Sequence, residues 1–560
     1  MFPLSLARRL AAAFVVALLV AGLPPAAFAQ FDAARAYKQS EAVKKRYPDP
    51  PVRFDTPGFA PGKADFTSHE EMMAFLYALQ RKAPGNLQLR TIGASEEGRA
   101  IPMLVLTNAG AFSAPEVLRL NRPVVLLAGL QHGNEPAGGE VMLALAQELA
   151  IGPLKPLLDR ITVVIVPRNN PDGAFYFTRS PARGIDINRD HIKLDLPETI
   201  ALHKVINEFQ PEVFVDAHEF SVATRWIQKF GKLLAYDLTF LYATNPNVAP
   251  ELTALADKRF RAAIVRDVEK AGYTQHWYFT TSYNMEDKKV SMGGTSPDIG
   301  RNTAGLQNAI SFLIETRGVG IGRESYARRV HTHQVAITAV LQTAAANADE
   351  LRAAVRGARL ATAKRGAAPG PQDTIAVRVK VPTVPHKLTM LDPQSGEPAE
   401  VEVQWEDSLA AIPDLVRQRP AAYLMPPSYG DIARRLELSG VDVRRLRQAT
   451  TLDVESYQVT DKRVSDVFYE GHIRNTVTTD VVRKPVTFQP GSYVFSMAQA
   501  NANLIAVALE PESPSSFVTF GLIPVDKKGA TLMGGAASEV PVYRLPAPAA
   551  LDTVPWEAPR

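Results

Sequence analysis

Several short apolar runs in this chain each end in polar, chemistry-bearing residues. Val124, Val125, Leu126 and Leu127 precede Gln131-His132-Gly133-Asn134-Glu135; Val213, Phe214 and Val215 precede Asp216-Ala217-His218; Ser311-Phe312-Leu313-Ile314 leads to Glu315. An apolar run with no polar alternation is a strand buried on both faces, which is the signature of a parallel sheet covered by helices. In open α/β sheets ligands bind outside the carboxyl ends of the strands. The polar segments are therefore expected to converge on one edge of one sheet.

The elements around these runs alternate as that sheet requires. Strands are expected at Ile101 to Thr107, Val124 to Leu130, Ile161 to Val166, Val213 to Ala217 and Ile310 to Ile314. Helices are expected at Gly139 to Leu149, Pro197 to Phe209 and from about Glu324 into the 340s. Ser68-His69-Glu70-Glu71 is a capping box, with Met72, Phe75, Leu76 and Leu79 as the apolar stripe behind it. The expected fold is α/β, a mostly parallel mixed sheet sandwiched by helices, followed by a second, β-rich α+β C-terminal domain.

A chain of 560 residues exceeds one ordinary core. We divide it into a signal peptide (1–29), a polar lead (30–65), a catalytic-type domain (66–355), an Ala/Gly/Pro-rich linker (356–373) and the C-terminal domain (374–560). That last domain opens with the alternating strand Ile375 to Val381, carries a short amphipathic helix at Asp431 to Leu438, and has turn signals at Pro490-Gly491 and Lys528-Gly529.

Arg8 and Arg9, the apolar stretch Leu10 to Leu23 and Ala27-Phe28-Ala29 have the order of a secretory signal cleaved after Ala29, and the stretch is short of the ~20 residues that span a bilayer. The expected location is periplasmic or secreted, with no stable membrane insertion after cleavage. Removing Arg8 and Arg9 takes the formal charge from +4 to +2, which argues against nucleic acid as a partner. There is no cysteine, so any metal is held by nitrogen and oxygen. Oligomeric state is not encoded in any motif.

A His and a Glu three residues apart, held at a strand mouth by Gly129 and Gly133, can bind one Zn²⁺ from a single turn. His218 is the candidate third ligand. Three further segments follow strands: Asn169-Asn170-Pro171-Asp172-Gly173, Gly184-Ile185-Asp186-Ile187-Asn188-Arg189-Asp190, and the Glu315 strand end. A carboxylate ending an apolar strand is costly to bury without a task.

This set resembles the M14 family of zinc metallocarboxypeptidases, from about Phe66 to the helix ending near Ala345, including the early turn Ser95-Glu96-Glu97-Gly98-Arg99. The two-His, one-Glu donor set is the one known for carboxypeptidase A. The resemblance implies one Zn²⁺ per chain on His132, Glu135 and His218, with Glu315 as the base that activates zinc-bound water. It implies Arg179 as the arginine that steadies the oxyanion, with Arg183 as the competitor for that place. Asn188 and Arg189 would grip the terminal carboxylate of a peptide substrate, a task suited to the planar guanidinium fork. Asp186 would orient a zinc histidine. Arg301 falls near the family's side-chain pocket and, pointing inward, would favour acidic or carboxylate-bearing substrates.

The sequence departs from the family in one respect: no tyrosine lies between Val290 and Glu315, and Tyr278 and Tyr283 upstream are in poor register. The implied function is an exported zinc carboxypeptidase hydrolysing C-terminal peptide bonds. The alternatives are a zinc amidase or deacylase acting on cell-wall peptides or acylated amino acids, and a non-catalytic peptide- or sugar-binding protein. Of the remaining histidines, His331 and His333 lie two apart on a helix and do not share a face, and His203 is expected on a helix surface.

Overall fold

The computed structural model describes residues 31–527 and 538–557. The signal segment and the Lys528-Gly529 turn lie outside the described residues. The centre of the molecule is an eight-stranded mixed sheet. Its strands are β1 (Leu87–Ala94), β2 (Ala100–Leu106), β3 (Val124–Gly129), β4 (Thr162–Val166), β5 (Val213–Ser221), β6 (Leu238–Tyr242), β7 (Gln275–Trp277) and β8 (Ile310–Val319), in the order β1-β2-β4-β3-β5-β8-β6-β7. The middle strands β4, β3, β5 and β8 run parallel to one another. Strands β1 and β2 add on antiparallel at one side, and β6 joins antiparallel at the other. Every residue of β3 and β4 is buried, as unbroken apolar runs demand.

Helices cover both faces. Val125 and Leu127 of β3 point into a core shared with α1 (His69–Lys82), α2 (Pro136–Ala150) and α5 (Tyr326–Ala346). Leu126 and Ala128, one residue out of phase, pack instead with Leu202, Val205 and Phe209 of α3 (Pro197–Phe209). The short α4 (Gly300–Leu306) lies just ahead of β8 and is wholly buried. The Ser68 capping box is formed in both directions, with Glu71 as its second half.

The 356–373 stretch differs from its expected irregular form, because α6 (Ala348–Ala367) runs through most of it. Leu351, Val355, Ala358, Thr362 and Gly366 form a buried stripe at helical spacing. A Cβ at Gly366 would collide with the Met497 carbonyl at 1.8 Å. The small residues that resembled punctuation are there for close helix contact. Only Ala368 onwards is irregular before the strand Thr374–Lys380.

The C-terminal half is built on a seven-stranded sheet dominated by one long hairpin, β9 (Thr450–Tyr469) and β10 (His472–Phe488). The expected amphipathic helix is present at Gly430–Leu438 and the turn at Pro490-Gly491 is formed. This half is joined intimately to the first. Strands Thr383–Leu391 and Pro398–Glu406 share a sheet with Leu233–Leu234 and Lys289–Ser291, and its core takes in Ile192, Val248 and Leu306. His203, expected on a helix surface, is fully buried, its Nε2 lying 3.1 Å from His191 Nδ1. The helix that carries it is packed on the sheet and tied to the C-terminal half, where Asn207 Nδ2 donates to the Leu438 carbonyl. Among the described residues no helix is long and apolar enough to cross a membrane.

Candidate metal centre and cleft

Strand β3 ends in a turn that aims His132 and Glu135 at one point. Leu130 takes a left-handed φ of 55°, which swings the chain off the strand axis, and Glu135 then stands at the N-terminus of α2. Gly133 is fixed by contact, since a Cβ there would fall 1.8 Å from the Gly173 carbonyl carbon. The backbones of the 131–135 and 170–173 turns therefore pack directly together. Asn170 fastens them: its amide donates to the Gln131 and Arg179 carbonyls at 3.0 and 3.1 Å, and its Oδ1 accepts the Gly173 N–H. Asp172 in turn holds the early turn, accepting from Ser95 Oγ, Glu97 N and Arg99 Nη1.

His218 reaches the same point from β5. Potential ligand atoms of His132, Glu135 and His218 all lie within 4.8 Å of one another, and the three residues are buried. The two Nδ1 atoms are 3.0 Å apart and face the Glu135 carboxylate at 2.7 Å (His132) and 2.9 Å (His218). Each Nε2 is turned away to a carboxylate: His132 to Asp186 Oδ1 at 3.0 Å, His218 to Asp216 Oδ2 at 2.8 Å. That is the donor arrangement of a zinc site, in which the distal imidazole nitrogen is held by a carboxylate and the near one presents its lone pair. These residues fit a divalent ion. Sequence alone assigns Asp216 no role, yet Asp-x-His along a strand puts both side chains on one face, which is the signal for it.

Asp186 links two functional groups. Beside His132 Nε2, its other oxygen accepts from both Arg179 Nε and Nη2 at 3.0 and 2.7 Å. Burial pushes the Asp186 carboxyl up, but Arg179 and His132 outweigh it and hold the group well below the ordinary carboxylate range. Arg179 Nη1 also lies 3.2 Å from His132 Nδ1, at the brink of the three-residue cluster. Arg183 points elsewhere, pairing with Glu96 and the Asp195 carbonyl, so the structure brings Arg179 and not Arg183 to the centre.

The cluster opens into a cavity of about 680 Å³ lined by Arg179, Arg189, Arg301, Tyr278 and Glu315. Glu315 is 7% exposed, and burial pushes it up to about 8, against the pull of His218 and with a push from Glu135. Arg301 does point inward: it is buried, its Nη2 donates to the Gly293 and Gly294 carbonyls, and its Nε has no hydrogen-bond partner among the described residues. Asn188 lines the cavity but both ends of its amide are engaged, Nδ2 with Asp216 at 3.3 Å and Oδ1 with Gly300 N at 2.7 Å. Its observed work is to tie the start of α4 to the Asp216 carboxylate, which holds His218.

Tyr278 lies in the cavity wall against Gly293, where a Cβ would meet its ring at 2.6 Å. Tyr283 also lines the cavity but is 83% exposed, at its rim under the Arg225 guanidinium. Two more lining residues, Tyr469 and Glu470, come from the β9–β10 hairpin of the C-terminal half, which no sequence motif marks.

The zinc carboxypeptidase family profile matches residues 72–337. Carboxypeptidase 2 of Trichophyton rubrum is 34% identical over 493 residues, which is 87% of this chain and 88% of the fungal one. Probable carboxypeptidase 2 of Arthroderma benhamiae is 34% identical over 457 residues, 81% of this chain and 85% of that one. A solved carboxypeptidase A from Helicoverpa armigera is similar at 19% identity and a TM-score of 0.39, covering 51% of this chain and 75% of that one. With this identity sustained across most of both chains, and the profile spanning every residue of the His132, Glu135 and His218 cluster, the chain belongs to the M14 zinc carboxypeptidase family.

Proposed function

We propose that this enzyme is an exported carboxypeptidase that removes the C-terminal residue of peptides, with His132, Glu135 and His218 holding zinc, Glu315 as base, Arg179, Arg189 and Arg301 as the substrate-facing set, and Asn188, expected to grip substrate, instead bracing Asp216. The observation that carries the reading is the gathering of four arginines, Arg179, Arg189, Arg225 and Arg301, around Glu315, an acid with no hydrogen-bond partner among the described residues, in the cavity that the metal cluster opens into. A cavity with that charge suits a ligand bearing a carboxylate, since each guanidinium can match two oxygens at once.

Zinc, when bound, supplies the Lewis acidity that makes water easy to deprotonate near neutral pH. Glu315 receives that proton on its carboxylate and returns it to the nitrogen of the departing residue, which needs a base whose pKa lies near the working pH. Its burial supports that tuning. Arg179, anchored on Asp186 and thereby oriented, faces the oxygen on which charge develops; a fixed donor aimed there stabilises the transition state without reorganisation. Arg189 takes the terminal carboxylate, and Arg301 takes an acidic side chain of the departing residue. Tyr278 fills the place for which the segment between Val290 and Glu315 has no tyrosine. The basic, apolar and small-residue order of residues 8–29 supports export.

The test is digestion of a short peptide ending in Asp or Glu beside the same peptide ending in a carboxamide. Release of the last residue from the acid alone, stopped by a chelator and restored by Zn²⁺, is the expected result. Equal cleavage of the amide would remove the carboxypeptidase reading in favour of an amidase.

A further inference from the structure

The long hairpin of the C-terminal half descends onto the catalytic cleft and ends there. Its turn is Glu470-Gly471, between the paired residues Tyr469 and His472, with φ of 46° and 84° at the two turn positions. Two left-handed residues in a two-residue loop make the turn whose twist matches its strands, and Asn, Asp or Gly are the residues that adopt it easily. A glutamate at the first position carries a backbone cost of about 1–2 kcal/mol. Something local must offset it.

The offset is visible in the contacts. Glu470 Oε2 accepts the Asp186 backbone N–H at 2.6 Å. Gly471 lies against Ile185, where a Cβ would come 3.0 Å from Cδ1. His472 Nε2 bonds Asp195 Oδ2 at 2.7 Å while its Nδ1 meets the Phe520 carbonyl at 2.9 Å. The tip thus grips both ends of the segment from Ile185 to Asp195, which carries Asp186, Asn188 and Arg189. Tyr469 lines the cavity itself, with the Arg474 guanidinium 4.1 Å over its ring. Asp298, Arg189, Arg474 and Glu470 act on its phenol, and Arg189 is the residue assigned above to the terminal carboxylate of the substrate.

We propose that the hairpin tip is a working part of the cleft: Glu470 is a positioning residue that fixes Asp186, and through it His132 and Arg179, while Tyr469 contacts the bound peptide. The inference rests on the carboxypeptidase reading above and gives the C-terminal half a function, completion of the active site. Chemically, an acceptor on the Asp186 amide holds the backbone from which the Asp186 carboxylate reaches the imidazole and the guanidinium; without it the carboxylate keeps the Asn188 N–H on Oδ1 but hangs from a backbone that has lost its tie to the hairpin.

Glu470→Gly removes the side chain at a φ that glycine adopts without strain, and Glu470→Gln keeps a carbonyl oxygen for the Asp186 N–H. In the full-length zinc-loaded enzyme, Glu470→Gly is expected to lower kcat about tenfold with KM within about threefold, and to weaken Zn²⁺ affinity several-fold in a chelator competition, while Glu470→Gln stays near wild type in both. Tyr469→Ala is expected to raise KM about tenfold with kcat little changed. Wild-type kcat and Zn²⁺ affinity in Glu470→Gly, equal losses in the Gln and Gly variants, or an unchanged KM in Tyr469→Ala would overturn the proposal. If the wild-type protein releases no C-terminal residue, the carboxypeptidase reading fails on its own, and the Zn²⁺ affinities of the Gly and Gln variants still decide the role of Glu470.

Discussion

Glu315 and His218 stand opposite each other in register on the adjacent parallel strands β8 and β5. Neighbours in a parallel pair leave the sheet on the same face, so two residues 97 positions apart are presented to one space by backbone hydrogen bonds alone. The adjoining strand β3 delivers His132 and Glu135 to the same edge. The site is rigid because the sheet is.

Glu315 has no hydrogen-bond partner among the described residues, and its loss should separate chemistry from binding. Glu315→Gln is expected to lower kcat by about 10²–10⁴ with KM and zinc content nearly unchanged, as removal of a general base does. Steady-state kinetics with metal analysis on the same sample checks it. A variant within tenfold of wild type would assign the base elsewhere.

Asp186 serves His132 and Arg179 together. Asp186→Asn keeps the size but removes the charge that both partners use, and a distal-carboxylate substitution of this kind costs about 10–100-fold in metal affinity or activity. Chelator competition should show weaker zinc binding, and kcat should fall as well because Arg179 is freed. Loss of one without the other would show that the two roles are separable.

The inward, incompletely paired Arg301 predicts a preference that a single substitution reverses. Arg301→Gln should lower kcat/KM for peptides ending in Asp or Glu by about tenfold or more relative to peptides ending in Leu, the scale of an uncompensated charged hydrogen bond. Because Arg301 also holds Gly293 and Gly294, a fall in melting temperature is expected alongside. An unchanged ratio between acidic and apolar termini would contradict the pocket assignment.

Glu198 offers a prediction on pH that is independent of the metal. It is fully buried, one of its oxygens has no partner among the described residues, and burial pushes it up to about 7. A carboxyl raised in this way favours the fold while protonated, so its stabilisation is complete below the unfolded pKa of about 4.3 and is lost as pH rises through about 7. Glu198→Gln should therefore melt higher than wild type at pH 8, with the difference closing towards pH 4. Parallel melting curves at every pH would show that Glu198 is not held protonated.

Much of the site was legible because the sheet and its ligands obey short-range rules. Unbroken apolar runs gave strands β3, β5 and β8, and the polar residues just past them gave His132, Glu135, His218 and Glu315. Asp186 and Arg179 came from motif resemblance, and the choice between Arg179 and Arg183 required the three-dimensional partner of each. What escaped had non-local causes. The helix through residues 356–367 is stabilised by a buried stripe that continues through Ala358, Thr362 and Gly366, and glycine and alanine at its end read locally as turn signals. His203 is buried against His191, on a segment that crosses α3, and α3 is tied further to the C-terminal half by the Asn207–Leu438 bond. Glu470 enters the cleft from 284 residues beyond Asp186, with no periodicity or motif to announce it.

The central claim is that one metal ion sits between His132, Glu135 and His218, with Glu315 facing it. The most direct test is anomalous X-ray scattering at the zinc edge from crystals of the full-length protein grown with Zn²⁺. A single strong peak within about 2.0–2.2 Å of the two Nδ1 atoms and the Glu135 carboxylate is the predicted result. No peak there, or a zinc site built from other residues, would contradict it.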